Sequence, residues 1–84
     1  MITKDDIAAA WRRIQPHIHQ TPVISSTRLG NRAGGVHLAL KCESMQRTGS
    51  FKARGALNAM MQLSHADKAK GVVTVSAGNH AQAL

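Results

Sequence analysis

Two short apolar runs, each followed by a polar loop and a helical pattern, constrain the fold of this chain most. Val36–Lys41 places apolar residues at both odd and even positions, and Val72–Val75 is rich in β-branched residues. Both runs predict strands that are covered on both faces. Helix-compatible sequence follows them at Phe51–Leu63 and at Asn79–Leu84. Two consecutive strand–loop–helix units predict the α/β class, with a partial, open, mainly parallel sheet and flanking helices.

A first helix is predicted over Lys4–Ile14. Thr3 offers a capping hydroxyl before it, and Ile7, Trp11 and Ile14 recur at helical spacing to form one apolar stripe, which predicts a packing face. The whole chain has 84 residues. Because α/β enzyme domains usually have roughly 100–200 residues, residues 1–84 are predicted to be a single, incomplete domain.

The charge balance raises the question of a polyanionic partner. The formal net charge is +7, from 11 Lys and Arg against 4 Asp and Glu. The basic residues are scattered, however, and only two aromatic residues are available to stack on bases. We therefore expect no nucleic-acid partner. No apolar run reaches membrane-spanning length, and a lone cysteine, Cys42, suits a reducing compartment, so a cytoplasmic location without membrane contact is expected.

The two predicted loops carry the candidate chemistry. Ser50–Lys52 and Ser76–His80 each stand at the start of a helix, and the carboxyl ends of parallel strands face one cleft. Free backbone N–H groups at a helix start bind carboxylate or phosphate, and Gly78 would let the main chain approach such a ligand. The helix macrodipole works against an ammonium ion at Lys52, which favours the neutral amine that condenses with aldehydes. The structural alternatives are a solvated side chain for Lys52, a helix cap for Ser76 and an Asx turn for Asn79.

Two segments resemble one enzyme family. Lys41–Ala56, KCESMQRTGSFKARGA, closely resembles the cofactor-lysine segment of the pyridoxal-phosphate (PLP) dependent threonine/serine ammonia-lyases and serine racemases, enzymes of fold type II. Ser76–Gln82, SAGNHAQ, resembles their substrate-carboxylate loop. With Thr21-Pro22 and the first helix, the resemblance covers essentially the whole chain. It implies the N-terminal portion of such an enzyme, with the glycine-rich phosphate loop and the pyridine-nitrogen partner outside these residues, so this portion alone should be inactive.

The resemblance also implies roles for individual residues. Lys52 would hold PLP as a Schiff base and remove the substrate α-proton. Phe51 would pack against the cofactor ring, and Asn79 would bind its 3′-oxygen. The segment implied to hold the substrate carboxylate comprises Ser76, Ala77, Gly78, Asn79 and His80.

The implied reaction is β-elimination from L-threonine and/or L-serine, giving a 2-oxo acid and ammonia. Racemases of this family place a serine where this chain has Ala77, and alanine cannot relay a proton, so a lyase is favoured over a serine racemase or a related hydroxy-amino-acid lyase. A homodimer or tetramer is implied. The alternative of another class is a small basic nucleic-acid-binding or noncatalytic module.

Neighbouring residues are expected to have structural roles. Arg54 should pair with a carboxylate or carbonyl, and Gly55 should let its helix pack closely. Glu43 and Arg47 are interpreted as solvated or paired loop charges. The histidines at positions 17 and 19 lack a third ligand at metal spacing, so no metal site is predicted.

Overall fold

A computed structural model describes residues 1–84, which form short helices and one small sheet. The helices and strands, in chain order, are α1 (Lys4–Ile14), β1 (Val23–Ser25), α2 (Thr27–Arg32), β2 (Ala39–Lys41), α3 (Lys52–Met61), α4 (His65–Lys70) and α5 (Asn79–Ala83). Three 3₁₀ turns join them, at Gln15–His17, Glu43–Met45 and Arg47–Gly49. The chain is thus of the α/β class, as predicted.

Helix α1 has the predicted bounds because its first turn is closed by local hydrogen bonds. The Asp6 amide donates to Thr3 Oγ1 at 3.3 Å, and the Thr3 amide donates to Asp6 Oδ2 at 2.8 Å. This reciprocal pair is a capping box. Of the predicted apolar stripe only Ile14 is buried, whereas Ile7 and Trp11 are exposed. The prediction that the whole stripe is a packing face is therefore wrong for this chain.

The sheet has two strands, and they are antiparallel. β1 pairs with β2 in a register that places Val23 opposite Lys41 and Ser25 opposite Ala39. β2 is half the length of the predicted run because the first residues of that run bind elsewhere. The Val36 amide donates to the Gly30 carbonyl at 3.1 Å, which ties this segment to the end of α2.

The predicted parallel pairing is wrong within this chain. No strand forms over Val72–Val75, and the side chains of Val73 and Val75 are 96% and 95% exposed. A β-branched run becomes a strand only when a neighbouring strand pairs with its backbone groups, and the sheet here contains β1 and β2 alone. The β2 residues are also exposed, so the predicted cover on both faces is absent.

Helix α3 packs against two other helices. It contacts α1 and α5, and its Ala53 and Ala56 belong to the small core. Arg13 Nη1 of α1 donates to Asn58 Oδ1 of α3 at 2.5 Å. The core is small, with 7 of 84 residues buried. The radius of gyration is 16.3 Å, whereas a compact domain of this length would have about 12 Å.

The remaining helices are short. Helix α4 has six residues, with Ser64 as its capping residue. Helix α5 has five residues and lies against α3 and the turn at Arg47–Gly49. None of the helices combines the length and the apolar character needed to cross a membrane.

Candidate active site

Lys52 is the first residue of α3, and its side chain is exposed. Its amide N lies 3.3 Å from the Oγ of the buried Ser50, which holds the backbone at the helix start. The Lys52 Nζ atom lies 5.3 Å from the centre of the Phe51 ring, so the ring face contacts the ammonium group. The side chains of Lys52 and Phe51 therefore lie together at the N-terminal end of α3.

The chain reaches Lys52 through a tight turn. Thr48 has a φ of 61° and Gly49 a φ of 82°, so two successive residues adopt the left-handed conformation. For a β-branched residue such as threonine, this conformation costs about 1–3 kcal/mol and persists only when its surroundings hold it. The Gly49 amide closes the turn by donating to the Gln46 carbonyl at 2.9 Å.

An ion pair between Glu43 and Arg54 spans this turn. Arg54 Nε donates to Glu43 Oε1, and Arg54 Nη2 donates to Glu43 Oε2 at 3.2 Å. The predicted pairing of Arg54 with a carboxylate is thus confirmed, and Glu43 is a paired charge. The pKa of Glu43 is lowered to about 2, chiefly by the hydrogen bonds from Arg54 and to a smaller extent by Thr21 and Gln46, although partial burial of the carboxylate raises it. The same bonds raise the pKa of Arg54.

Glu43 also binds a third segment. Thr21 Oγ1 donates to Glu43 Oε2 at 2.6 Å, and Lys41 Nζ donates to the Thr21 carbonyl at 2.9 Å. Thr21 is buried although it is polar. The carboxylate therefore joins the segment before β1 to helix α3.

Gln46 is a second anchor of the same loop, and no sequence pattern predicted this role. Its Oε1 accepts from the His19 amide, and its Nε2 donates to the His19 carbonyl, each at 2.8 Å. Its Oε1 also accepts from the Arg47 amide at 3.0 Å. No local pattern marks a glutamine that is to be buried, because its partner lies 27 residues away.

The second predicted segment begins with Ser76. Its Oγ accepts from the Gly78 amide at 3.1 Å, so the side chain folds back onto its own loop and does not cap α5. Gly78 is the residue before α5, and no side chain caps that helix start. The backbone N–H groups there are therefore not used by a capping side chain. Gly78 has an extended φ of −172°, which any residue adopts.

The structure brings Lys52 and part of the second segment to one cleft. This cleft has a volume of about 350 Å³, and its lining comprises Phe51, Lys52, Arg54, Gly55, Ala56 and His80. Of the predicted carboxylate segment only His80 reaches the lining; Ser76, Ala77, Gly78 and Asn79 lie outside it. Lys52 and His80 thus line the same cleft beside α3.

The role predicted for Gly55 is wrong. A Cβ atom at this position would meet no atom within 4 Å, so close helix packing does not require glycine. Gly55 instead lines the cleft beside Lys52. The small side chains there leave room for a ligand.

The residues of the cleft suit the chemistry of PLP. Lys52 supplies an exposed primary amine for an aldehyde, and Phe51 supplies an aromatic face for a flat ring. The cleft volume falls within the roughly 300–1,000 Å³ of small-molecule sites. No cluster of three or more His, Cys, Asp or Glu side chains that could hold a metal ion is present.

Known proteins are similar to this chain over nearly its whole length. The family described as "Pyridoxal-phosphate dependent enzyme" matches residues 14–84. The serine racemase of Dictyostelium discoideum is 49% identical over 83 residues, which are 99% of this chain and 25% of that protein. Its crystal structure superposes with a TM-score of 0.89, covering 98% of this chain and 26% of that one.

Two further relatives have lyase names. The β-hydroxyaspartate dehydratase of Paracoccus denitrificans is 50% identical over 82 residues, 98% of this chain and 26% of that protein. The L-threonine ammonia-lyase of Thermotoga maritima is 45% identical over 84 residues, 100% of this chain and 21% of that protein. The chain therefore spans about a quarter of the length of the curated relatives it matches. By its sequence and its fold, this chain belongs to the pyridoxal-phosphate dependent enzymes of fold type II.

Proposed function

We propose that this chain is the N-terminal part of a longer lyase, which converts L-threonine and/or L-serine to a 2-oxo acid and ammonia. The observation that carries the proposal is the shared cleft of Lys52 and His80, because it joins an exposed amine to the predicted carboxylate segment. The small core and the relatives' fourfold greater length support the view that residues 1–84 are one incomplete domain.

The cofactor would be held by three residues of this chain. Lys52 would bind it covalently, Phe51 would cover its ring, and Asn79 would bind its 3′-oxygen. When bound, PLP supplies the electron sink that makes the substrate α-proton acidic. The protein's own part is to orient the substrate and to move protons.

Lys52 would be the base of the reaction. With the cofactor and the substrate bound, the Lys52 Nζ atom would accept the proton from the substrate Cα. The β-hydroxyl then leaves as water, and a water molecule later replaces the amine, so the net products are the 2-oxo acid and ammonia. The exposed position of Lys52 at the start of α3 gives this amine access to the cleft.

The substrate carboxylate would bind at the start of α5. The residues proposed for this role are Ser76, Ala77, Gly78, Asn79 and His80, chiefly through the Ser76 hydroxyl and the backbone N–H groups. The absence of a capping side chain on α5 supports the role, because the N–H groups of its first residues remain available to an anion, whereas the Gly78 N–H already donates to Ser76 Oγ.

Serine racemase is the second candidate, and the 49% identity to the Dictyostelium enzyme favours it. Racemisation needs a proton donor on the face of the substrate opposite Lys52. Ala77 stands where the family's racemases carry a serine for this purpose, and a methyl group holds no transferable proton. A lyase is therefore the preferred function.

The experiment uses the enzyme that carries this chain, loaded with PLP. Each of L-serine and L-threonine is supplied, 2-oxo acid and ammonia are quantified, and D-serine is separated by chiral chromatography. Equal amounts of 2-oxo acid and ammonia with little D-serine are expected. Substantial D-serine would favour the racemase, and a colourless protein with steeply salt-dependent DNA binding would favour the basic module. We further propose that the enzyme is a homo-oligomer, which sedimentation would test. We also propose a cytoplasmic location, which fractionation of cells would test.

A further inference from the structure

Arg54 lies two residues after Lys52 in the first turn of α3. Side chains two positions apart on a helix do not face each other, so a contact made by Arg54 leaves the Lys52 amine free. The Arg54 guanidinium is bound by both Glu43 oxygens, while the Lys52 Nζ atom lies over the Phe51 ring. An anchor on Arg54 therefore limits rotation of this turn about the helix axis without occupying Lys52.

The ion pair also closes a loop of chain. It joins residue 43 to residue 54, and this loop contains the two left-handed residues Thr48 and Gly49 as well as Lys52. A strained threonine persists only when the residues around it are held. The pair is one of the contacts that span this turn, and the Gln46 clamp on His19 is another.

Glu43 has a fixed position of its own. Its Oε2 accepts from the hydroxyl of the buried Thr21, whose carbonyl accepts from Lys41 Nζ. The backbone nearby is bound as well, because the Cys42 amide donates to the Pro22 carbonyl at 2.9 Å. The carboxylate that binds Arg54 is therefore itself fixed, because hydrogen bonds connect Glu43 through Thr21 to Lys41 of β2.

We propose that Glu43 and Arg54 are positioning residues, whose ion pair fixes the turn before α3 and thereby directs the Lys52 amine into the cleft. The inference rests on the proposed function, in which Lys52 binds the cofactor. Neither Glu43 nor Arg54 takes part in the reaction, but loss of either residue should raise the rate at which the cofactor leaves Lys52.

A general effect on stability is the rival explanation, and the chain offers a matched control. Arg13 of α1 is also a charged side chain that is held by a distant residue, because it donates to Asn58 of α3. Neither Arg13 nor Asn58 lines the Lys52 cleft. R13Q should therefore lower stability without changing how Lys52 is directed.

The test compares the holoenzyme with E43Q, R54Q, R54K, the double variant E43Q/R54Q and the control R13Q. Cofactor release is followed by the loss of visible absorbance after transfer to cofactor-free buffer. The cofactor on Lys52 is quantified by borohydride reduction and peptide mass spectrometry, and urea unfolding reports the stability of each variant.

We expect E43Q and R54Q to release the cofactor about 10-fold faster or more, as is common when a supporting residue is lost. The double variant should match the single ones, because each breaks the same pair. R54K keeps the charge and should release the cofactor at an intermediate rate, and R13Q should resemble the parent. R54K can still pair with Glu43, so the comparison of its cofactor release with that of R13Q tests the inference if the neutral variants do not fold.

Two outcomes would overturn the inference, and they are distinguishable. If the parent carries the cofactor on Lys52 but E43Q, R54Q and R54K release it no faster than R13Q, the positioning role is wrong and the proposed function stands. If the parent carries no cofactor on Lys52, the proposed function fails and the positioning role fails with it.

Discussion

Gln46 holds His19 by both of its backbone groups, accepting from the amide and donating to the carbonyl at 2.8 Å each. Gln46 is 4% exposed, so its side chain makes these two hydrogen bonds from a buried position. The clamp joins the segment after α1 to the loop that leads to Lys52. It therefore contributes to the stability of the part of the chain on which the site depends.

Replacing Gln46 by alanine tests this clamp. Two backbone groups of His19 would lose their partners, and because each intramolecular hydrogen bond contributes about 0.5–1.5 kcal/mol net, the two together contribute about 1–3 kcal/mol. We expect the free energy of urea unfolding to fall by an amount in that range. Gln62 is the control, because its Nε2 also binds a backbone carbonyl, that of Asn58, but at an exposed position. Equal effects of Q46A and Q62A would contradict the assigned role.

The ion pair of Glu43 predicts a specific dependence of stability on pH. Its pKa is about 2 in the folded chain, against an ordinary value of 4.5. Because folding lowers this pKa, the stabilisation is complete above about pH 4.5 and is lost as the pH falls through about 2. We expect the difference in unfolding free energy between the parent and E43Q to be greatest near neutral pH and to shrink on acidification. A difference that is constant from pH 7 to about pH 2 would show that the pair does not act through the ionised carboxylate.

The left-handed residue Thr48 predicts a substitution that stabilises the chain. Glycine adopts a φ of 61° without the steric cost that a β-branched residue bears there. We expect T48G to raise the unfolding free energy by about 0.5–1 kcal/mol, the net of relieved strain and greater freedom of the unfolded chain. G49A, at a φ of 82°, should act in the opposite direction. A destabilised T48G would mean that contacts of the threonine side chain outweigh its backbone strain.

Alanine substitutions at two helical glycines, Gly30 and Gly55, should change the unfolding free energy in opposite directions. A Cβ atom on Gly30 would overlap the carbonyl oxygen of Val36, whereas one on Gly55 would meet nothing within 4 Å. We expect G30A to lower the unfolding free energy by about 1–3 kcal/mol through overpacking. G55A should leave it unchanged or raise it by up to about 1 kcal/mol, since alanine favours helices. Thermal unfolding of both variants checks this, and the same sign for both would refute the assignment.

The parts of the fold that sequence could predict depend on local interactions. The start of α1 follows from a capping box that Thr3 and Asp6 form within four residues. The bounds of α3 and the pairing of Arg54 were likewise close to the prediction. Such features need no information about distant segments.

The parts that could not be predicted depend on distant partners. Val72–Val75 has the composition of a buried strand, but strand formation depends on a pairing partner, and none forms within the chain. The clamp of Gln46 and the link from Thr21 to Glu43 join segments more than 20 residues apart and leave no periodic pattern. The roles of Lys52 and Ser76 came from resemblance, because their spacing alone also suits a solvated lysine and a turn.

The central claim is that the amine of Lys52 binds the cofactor, and one measurement tests it most directly. The PLP-loaded enzyme is reduced with borohydride and digested, and mass spectrometry locates the modified peptide. Lys68 is a matched control, because it is an exposed helical lysine that does not line the cleft. We predict one modification on the peptide containing Lys52, lost in K52A and retained in K68A. A modification that persists in K52A, or that lies on another lysine of the parent enzyme, would contradict the account.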